Sequence, residues 1–87
     1  MTRWAHAPGV LWRRSAGRIV VDPPDGHDAL LLEGSAAAVW DLLADPQELD
    51  ALSVELSRRF AVPAATVRDD IEGLLADLEA AGAVTCR

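Results

Sequence analysis

The stretch Asp28-Ala-Leu-Leu-Leu-Glu33 separates two kinds of pattern in this chain. Its three successive leucines lie between acidic residues and show no apolar–polar alternation, so both faces of the segment need apolar contacts. The residues before it have the composition of short β-strands, and those after it have the spacing of helices. We therefore predict that residues 28–33, called the leucine strand below, join a sheet to a helical half.

Length and composition describe one small globular domain, with 87 residues, 51% hydrophobic and 25% charged. A chain of this size buries only about 60% of the surface that its unfolded form exposes, so a deep catalytic cleft is hard to build and binding partners are expected. The single cysteine, Cys86, excludes an internal disulfide framework and a cysteine-based zinc site. No apolar run suits a membrane span or a signal peptide. These features favour a cytoplasmic protein.

Charge is distributed unevenly along the chain. Residues 1–18 contain four arginines and no acid, whereas all 14 acidic residues lie between positions 22 and 79. The net charge is −6, and lysine is absent. An acidic helical half repels the phosphate backbone of a nucleic acid, so nucleic acid is not an expected partner.

The residues before the leucine strand predict a three-stranded antiparallel meander. Residues 10–14 and 18–22 are short and rich in β-branched or aromatic residues, and residues 15–17 suit a three-residue hairpin loop with Gly17 in the left-handed conformation. Residues 23–26 supply turn residues that return the chain to the leucine strand. In a meander the middle strand is paired on both sides, so the leucine strand is an edge.

The chain ends require separate predictions. Residues 1–9 have the composition of an irregular arm anchored by Trp4, lying over a single domain formed by residues 10–87. At the other end, residues 83–85 have an extended pattern that suits either a short strand or a segment packed on the helices.

Three helices are predicted after the leucine strand. The first spans residues 36–44 with Ser35 as its N-cap. The second begins at residues 45–48, where an acidic cap, a proline and a glutamate form a variant capping box. The third begins near Pro63, or alternatively with Thr66 as its cap, and ends at Gly82. The fold class is therefore α+β, a three-stranded antiparallel sheet followed by three helices.

Residues with catalytic potential are few. The two histidines, His6 and His27, lie in the arm and in a turn, and neither a nucleophile elbow nor a P-loop motif is present. The acid-rich turn at residues 22–28 lacks the ligand spacing of a calcium loop, so a polar hairpin turn is the preferred interpretation. Cys86 could be a reactive thiol, but a frayed terminus is a simpler account. We predict a non-enzyme without cofactor or metal.

The large apolar residues either belong to the core or line a binding surface. Trp12 and Trp40 are better explained as core anchors than as groove-lining aromatics. The leucine triplet has two interpretations that the pattern leaves open. In one it is an open binding edge; in the other Leu30 and Leu32 point into the core while Leu31 lies under the N-terminal arm.

Residues 10–85 resemble the PqqD-like family, the peptide-recognition domains of pathways that modify ribosomally made peptides. The resemblance is carried, in order, by the leucine strand running into Gly34-Ser-Ala-Ala-Ala-Val-Trp-Asp-Leu-Leu43, by residues 52–60, by Val67-Arg-Asp-Asp-Ile-Glu-Gly-Leu-Leu-Ala-Asp-Leu78 and by Gly82-Ala-Val84. The opening Arg3-Trp4 and residues 10–14 look most like short stand-alone members found beside an HPr-kinase-related protein. Ala44-Asp45-Pro46 departs from the usual Asp-Gly turn between the first two helices.

The resemblance implies a winged-helix-like fold in which a precursor's leader peptide adds as a further strand to the leucine strand, in a groove against the third helix. By position, the expected peptide-binding residues are Asp28, Ala29, Leu30, Leu31, Leu32 and Glu33 on the strand, with Val67, Arg68, Ile71, Glu72 and Leu75 on the groove wall. The implied function is a non-catalytic peptide chaperone that presents the leader to a modifying enzyme of the radical or ATP-using kind. The alternatives are a winged-helix DNA-binding regulator and a homo-oligomerisation module, such as a homodimer, that uses the same edge.

Overall fold

A computed structural model describes residues 2–24 and 28–87 of the chain. The strands are Trp4–His6 (β1), Leu11–Ser15 (β2), Arg18–Asp22 (β3), Leu30–Leu32 (β4) and Val84–Cys86 (β5). The helices are Ser35–Leu42 (α1), Leu49–Phe60 (α2) and Ala64–Ala80 (α3). The predicted α+β class is confirmed, and the arrangement is compatible with the winged-helix-like fold. None of the helices in these two ranges is long and apolar enough to cross a membrane.

The predicted meander is present as an antiparallel sheet in the order β2-β3-β4. Its hairpin loop is shorter than predicted, because Ser15 is paired with Arg18 and only Ala16 and Gly17 form the turn. Both turn residues have positive φ, 52° and 78°. Two consecutive positive φ angles are typical of a type I′ turn, whose twist matches that of the flanking strands. The turn predicted at residues 23–26 extends beyond the described residues.

The burial of Leu30, Leu31 and Leu32 tests the interpretation that the first and third face the core while Leu31 lies under an N-terminal arm. Leu32 pairs with Ile19 on the core face, and both side chains are buried. Leu30 is half-buried against the same core. Leu31 points to the opposite face and is 55% exposed, so the interpretation that an N-terminal arm covers it is wrong.

The N-terminal residues form a strand where an irregular arm was predicted. β1 pairs with β5 in antiparallel register, with Ala5 opposite Thr85, and makes a second, two-stranded sheet. The anchoring role of Trp4 is confirmed, since its half-buried side chain packs against the core. The prediction for residues 4–6 is therefore wrong because their partner strand lies at the far end of the chain, where no local pattern indicates it. The predicted short C-terminal strand is present.

Two helix starts differ from the prediction. Gly34, with φ 57°, is the N-cap of α1, and Ser35 is already helical. α2 begins at Leu49, after the predicted capping box, because the backbone of Gln47 exchanges hydrogen bonds with Trp4 at N–O distances of 2.7 and 2.9 Å. A residue that bridges to a strand in this way is extended and cannot belong to a first helical turn. The predicted start of the third helix near Pro63 is confirmed, with Pro63 as its N-cap, and the alternative cap Thr66 lies inside the helix.

The core lies between the three-stranded sheet and the three helices. Trp40 is fully buried at its centre, which confirms its assignment as a core anchor. Trp12 is 42% exposed and contacts Trp40 edge-on at a ring-centroid distance of 6.1 Å, so its assignment to the core is wrong. His6 stacks on Trp40 at 3.9 Å and its Nε2 lies 2.8 Å from the Trp40 carbonyl oxygen. Since a carbonyl only accepts, Nε2 is the donor.

Candidate functional site

The free edge of β4 is the main feature of the candidate site. In the part of the chain that the structure describes, β3 is the only strand that pairs with β4, with Val20 opposite Leu31. The N–H and C=O groups of successive strand residues point to alternate sides. The outward groups of β4 are therefore those of Leu31, or those of Leu30 and Leu32, and they can pair with an added strand.

Charged side chains distinguish the two edges of the sheet. β2, the other edge strand, carries Arg13 and Arg14 among five exposed residues. Charged side chains on an edge strand discourage pairing with another chain. β4 has only leucines, and its nearest charged neighbour, Glu33, forms an ion pair with Arg18 at 2.8 Å. The β4 edge is therefore the better acceptor of a guest strand.

The predicted strand residues lie together along this edge. Asp28 and Ala29 are exposed and lead into β4, and Glu33 is exposed immediately after it. On the outer face Leu31 lies in one row with Val20 and Arg13, since opposite residues of a sheet share a face.

An apolar groove of about 350 Å³ begins just beyond β4. Its first residues, Ser35 and Ala36, lie three and four positions after Leu32, the last residue of β4. Among the described residues, the only charged side chain in its lining is Asp70. Apolar walls with few polar groups are typical of ligand grooves. The described residues that line it are Ser35, Ala36, Val39, Leu56, Phe60, Val62, Val67, Asp70, Ile71 and Leu74.

The predicted wall residues divide between two faces of α3. Val67 and Ile71 line the groove, as expected by position. Arg68, Glu72 and Leu75 instead line a separate depression of about 420 Å³ that also contains Trp4 and Leu49. Leu75 is buried, with 1% exposure. The structure thus brings two of the five predicted wall residues together with the groove beyond β4.

Sequence reasoning missed most of the groove. Asp70 and Leu74 lie three and seven residues after Val67, so helical spacing alone indicates that they share its face. Phe60, which is 48% exposed, and Val62 lie around the α2–α3 link, and no local pattern indicates that they approach α1.

Electrostatic contacts of α2 and α3 lie on other faces. Arg68 forms ion pairs with Asp50 and, at 3.3 Å, with Glu72, which fixes its side chain against α2. The hydrogen bond from Arg59 and then that from Arg58 lower the pKa of Glu55 on α2. None of these residues lines the groove.

The described residues with catalytic or metal-binding potential do not gather into one site. Residues 2–24 and 28–87 contain no cluster of three or more His, Cys, Asp or Glu side chains that could hold a metal ion. Cys86 lies in β5 opposite Trp4, so its interpretation as part of a frayed terminus is wrong. His27 and part of the acid-rich turn lie outside the described residues.

A cavity of about 630 Å³ lies elsewhere, at the β1–β5 sheet. It shares no lining residue with the groove. Its size alone does not supply the unpaired backbone groups that strand addition needs, so the expected peptide-binding edge remains that of β4.

Comparison with known proteins gives one family match. The family model described as Coenzyme PQQ synthesis protein D (PqqD) matches residues 18–84. The match includes β3, β4, all three described helices and the first residue of β5, and it leaves out β1 and β2. No curated protein and no solved structure matched the chain.

Proposed function

Because the chain belongs to the PqqD family, we propose that it is a non-catalytic peptide chaperone for a ribosomally made precursor. It binds the precursor's leader peptide by strand addition and presents it to a modifying enzyme of the radical or ATP-using kind. The observation that carries this proposal is the edge of β4, which is formed by leucines and has no partner strand among the described residues. An apolar groove begins at Ser35, three residues further along the chain.

The leader would add to β4 as the fourth strand of the meander. Its main-chain groups would pair with the outward groups of β4, and alternate side chains would enter the groove lined by Val67, Ile71 and Leu74. The single carboxylate, Asp70, would disfavour an acidic leader residue at that position. Backbone pairing would supply affinity and the groove would supply selectivity.

Backbone pairing and side-chain burial are both needed to reach micromolar affinity. β4 is three residues long, so its outward edge offers about two to four backbone hydrogen bonds. Each contributes about 1 kcal/mol net, whereas micromolar binding requires about 8 kcal/mol. Burial of one large apolar side chain contributes about 1.5–3 kcal/mol. Two or more leader side chains must therefore enter the groove.

The two alternative functions have different support. A DNA-binding role would use α3 as the recognition helix, but its Arg68 is held in ion pairs by Asp50 and Glu72. Homo-oligomerisation is favoured by a specific observation, since Leu31 is exposed on the same free edge that a second copy could use. The experiment must separate this alternative from leader binding.

Proline substitution on β4 tests strand addition directly. Proline removes one N–H, so at an outward position it deletes a bond to the leader while leaving the β3–β4 ladder in place. We expect Leu31→Pro or Leu30→Pro, whichever has the outward N–H, to remain folded and to weaken binding of the leader by about 1 kcal/mol or more, about five-fold. Calorimetric titration with the leader of a precursor encoded beside this chain measures the effect.

A matched control lies on the opposite edge. Leu11→Pro replaces the first residue of β2, where proline is tolerated, and should leave leader binding unchanged. Sedimentation of the same proteins monitors self-association. Normal leader binding by both folded β4 variants would refute the proposal. If those variants also dissociated a wild-type dimer, the edge would be an oligomer interface.

A further inference from the structure

The β1–β5 sheet places two arginines directly opposite each other. The Arg3 nitrogen lies 2.6 Å from the Arg87 oxygen and the Arg87 nitrogen 2.9 Å from the Arg3 oxygen. Two residues that exchange both backbone bonds form an antiparallel pair with their side chains on the same face. Like charges in such a pair are destabilising.

These two arginines also differ from most others in the chain. Among the described residues, neither guanidinium has a carboxylate oxygen within 4.0 Å. In contrast, ion pairs are formed by Arg14, Arg18, Arg58, Arg59 and Arg68. Acidic residues outnumber basic ones by 14 to 8, so the lack of a described Asp or Glu side chain beside these two guanidinium groups is a local property of the fold.

The cavity of about 630 Å³ at the β1–β5 sheet is lined by both arginines. Ala5 and Thr85, which are paired two residues further along the strands, belong to the same face and supply small side chains and a hydroxyl. The remaining lining residues are His6, Pro8 and Pro46, and no Asp or Glu side chain among the described residues contributes to the lining. The result is a positively charged depression on an acidic protein.

We infer that this depression binds a multiply charged oxyanion of the phosphate type. Guanidinium groups are planar donors that match phosphate oxygens, and charge-assisted bonds of this kind are among the stronger ones in proteins. A dianion between Arg3 and Arg87 would replace their repulsion by attraction to both. The site is separate from the leader groove, so it does not depend on the proposed function.

Titration of the ¹⁵N-labelled full chain with inorganic phosphate tests the inference, with sodium chloride adjusted to keep the ionic strength constant. We expect saturable shifts of the amides of Arg3, Ala5, Thr85 and Arg87. Acetate, which carries one charge, should bind more weakly. Equal effects of phosphate, acetate and chloride would overturn the inference. A parallel titration with phenyl phosphate distinguishes the source: if it binds too, the site accepts phosphate esters; if not, it takes the free ion.

Three variants identify the residues responsible. Arg3→Gln should weaken phosphate binding about ten-fold or more, because it removes a charge-assisted contact. Arg13→Gln makes the same charge change on β2, away from the cavity, and should bind phosphate as the wild type does. Arg3→Glu should abolish binding and raise the melting temperature in phosphate-free buffer, since it places opposite charges across the strands. Wild-type affinity in Arg3→Gln would overturn the inference.

Discussion

Replacement of Trp40 by alanine is expected to remove much of the stability of this domain. Trp40 has no exposed surface, stacks on His6 at 3.9 Å and contacts Trp12 edge-on. Truncation of a buried tryptophan costs about 3–5 kcal/mol. The total stability of an 87-residue domain is about 4–13 kcal/mol. The variant should therefore melt roughly 12–40 °C lower than the wild type or fail to fold.

A second variant at the same position separates packing from hydrogen bonding. Among the described residues, the buried Nε1 of Trp40 has no hydrogen-bond partner. An unsatisfied buried donor costs about 1–3 kcal/mol, which Trp40→Phe recovers while it retains most of the aromatic contact with His6. We expect Trp40→Phe to lose less than half as much stability as Trp40→Ala.

Urea unfolding followed by far-UV circular dichroism measures these differences without relying on tryptophan fluorescence. Trp12→Ala is the control, because that ring is 42% exposed and its removal leaves a smaller cavity. A loss below about 1 kcal/mol for Trp40→Ala would refute its placement at the core. Equal losses for Trp40→Phe and Trp40→Ala would refute the role of the unpaired Nε1.

Two further predictions concern the hairpin turn and the carboxyl on α2. Ala16 has a φ of 52°, a conformation that costs a non-glycine residue about 1–2 kcal/mol and that asparagine tolerates better. Ala16→Asn should therefore raise the thermal midpoint of unfolding. A lower midpoint would contradict the type I′ assignment. The hydrogen bond from Arg59 is the largest cause of the lowered pKa of Glu55. The stability that the ionised Glu55 carboxyl contributes is therefore present above its unfolded-state pKa and is lost as pH falls through its folded-state pKa. Arg59→Gln should therefore raise the pH at which the Glu55 carboxyl titrates by NMR, and an unchanged midpoint would argue against that cause.

The elements that the sequence predicted correctly depend on local signals. The meander follows from short β-branched runs separated by turn residues, and α3 begins at Ala64, directly after the proline that indicated its start. The predictions that failed were overridden by distant contacts. The capping signal at Pro46 does not start a helix there, because Gln47 bridges to Trp4. β1 was not predicted, because its partner β5 lies at the other end of the chain.

The candidate site was predictable only where local sequence signals determine it. The strand around Leu31 was located correctly, because a leucine run after a predicted hairpin marks the next strand, but β4 covers only Leu30–Leu32 of the predicted residues 28–33. Only two of the five predicted wall residues on α3, Val67 and Ile71, line the groove, because helical spacing shows which residues share a face but not which face meets the groove. That rotation is set by tertiary packing, which turns Val67 and Ile71 toward the groove and Arg68 and Glu72 away from it.

Amide hydrogen exchange at β4, with and without the leader peptide, tests strand addition most directly. At a free leader concentration of 100 times the dissociation constant, exchange of a newly paired amide should slow about a hundred-fold. We expect that slowing for Leu31 alone, or for Leu30 and Leu32 together, according to which N–H groups point outward. The amides of β2, at the opposite edge, should be unaffected. A bound leader that leaves all three β4 amides exchanging as in the free protein would contradict the account.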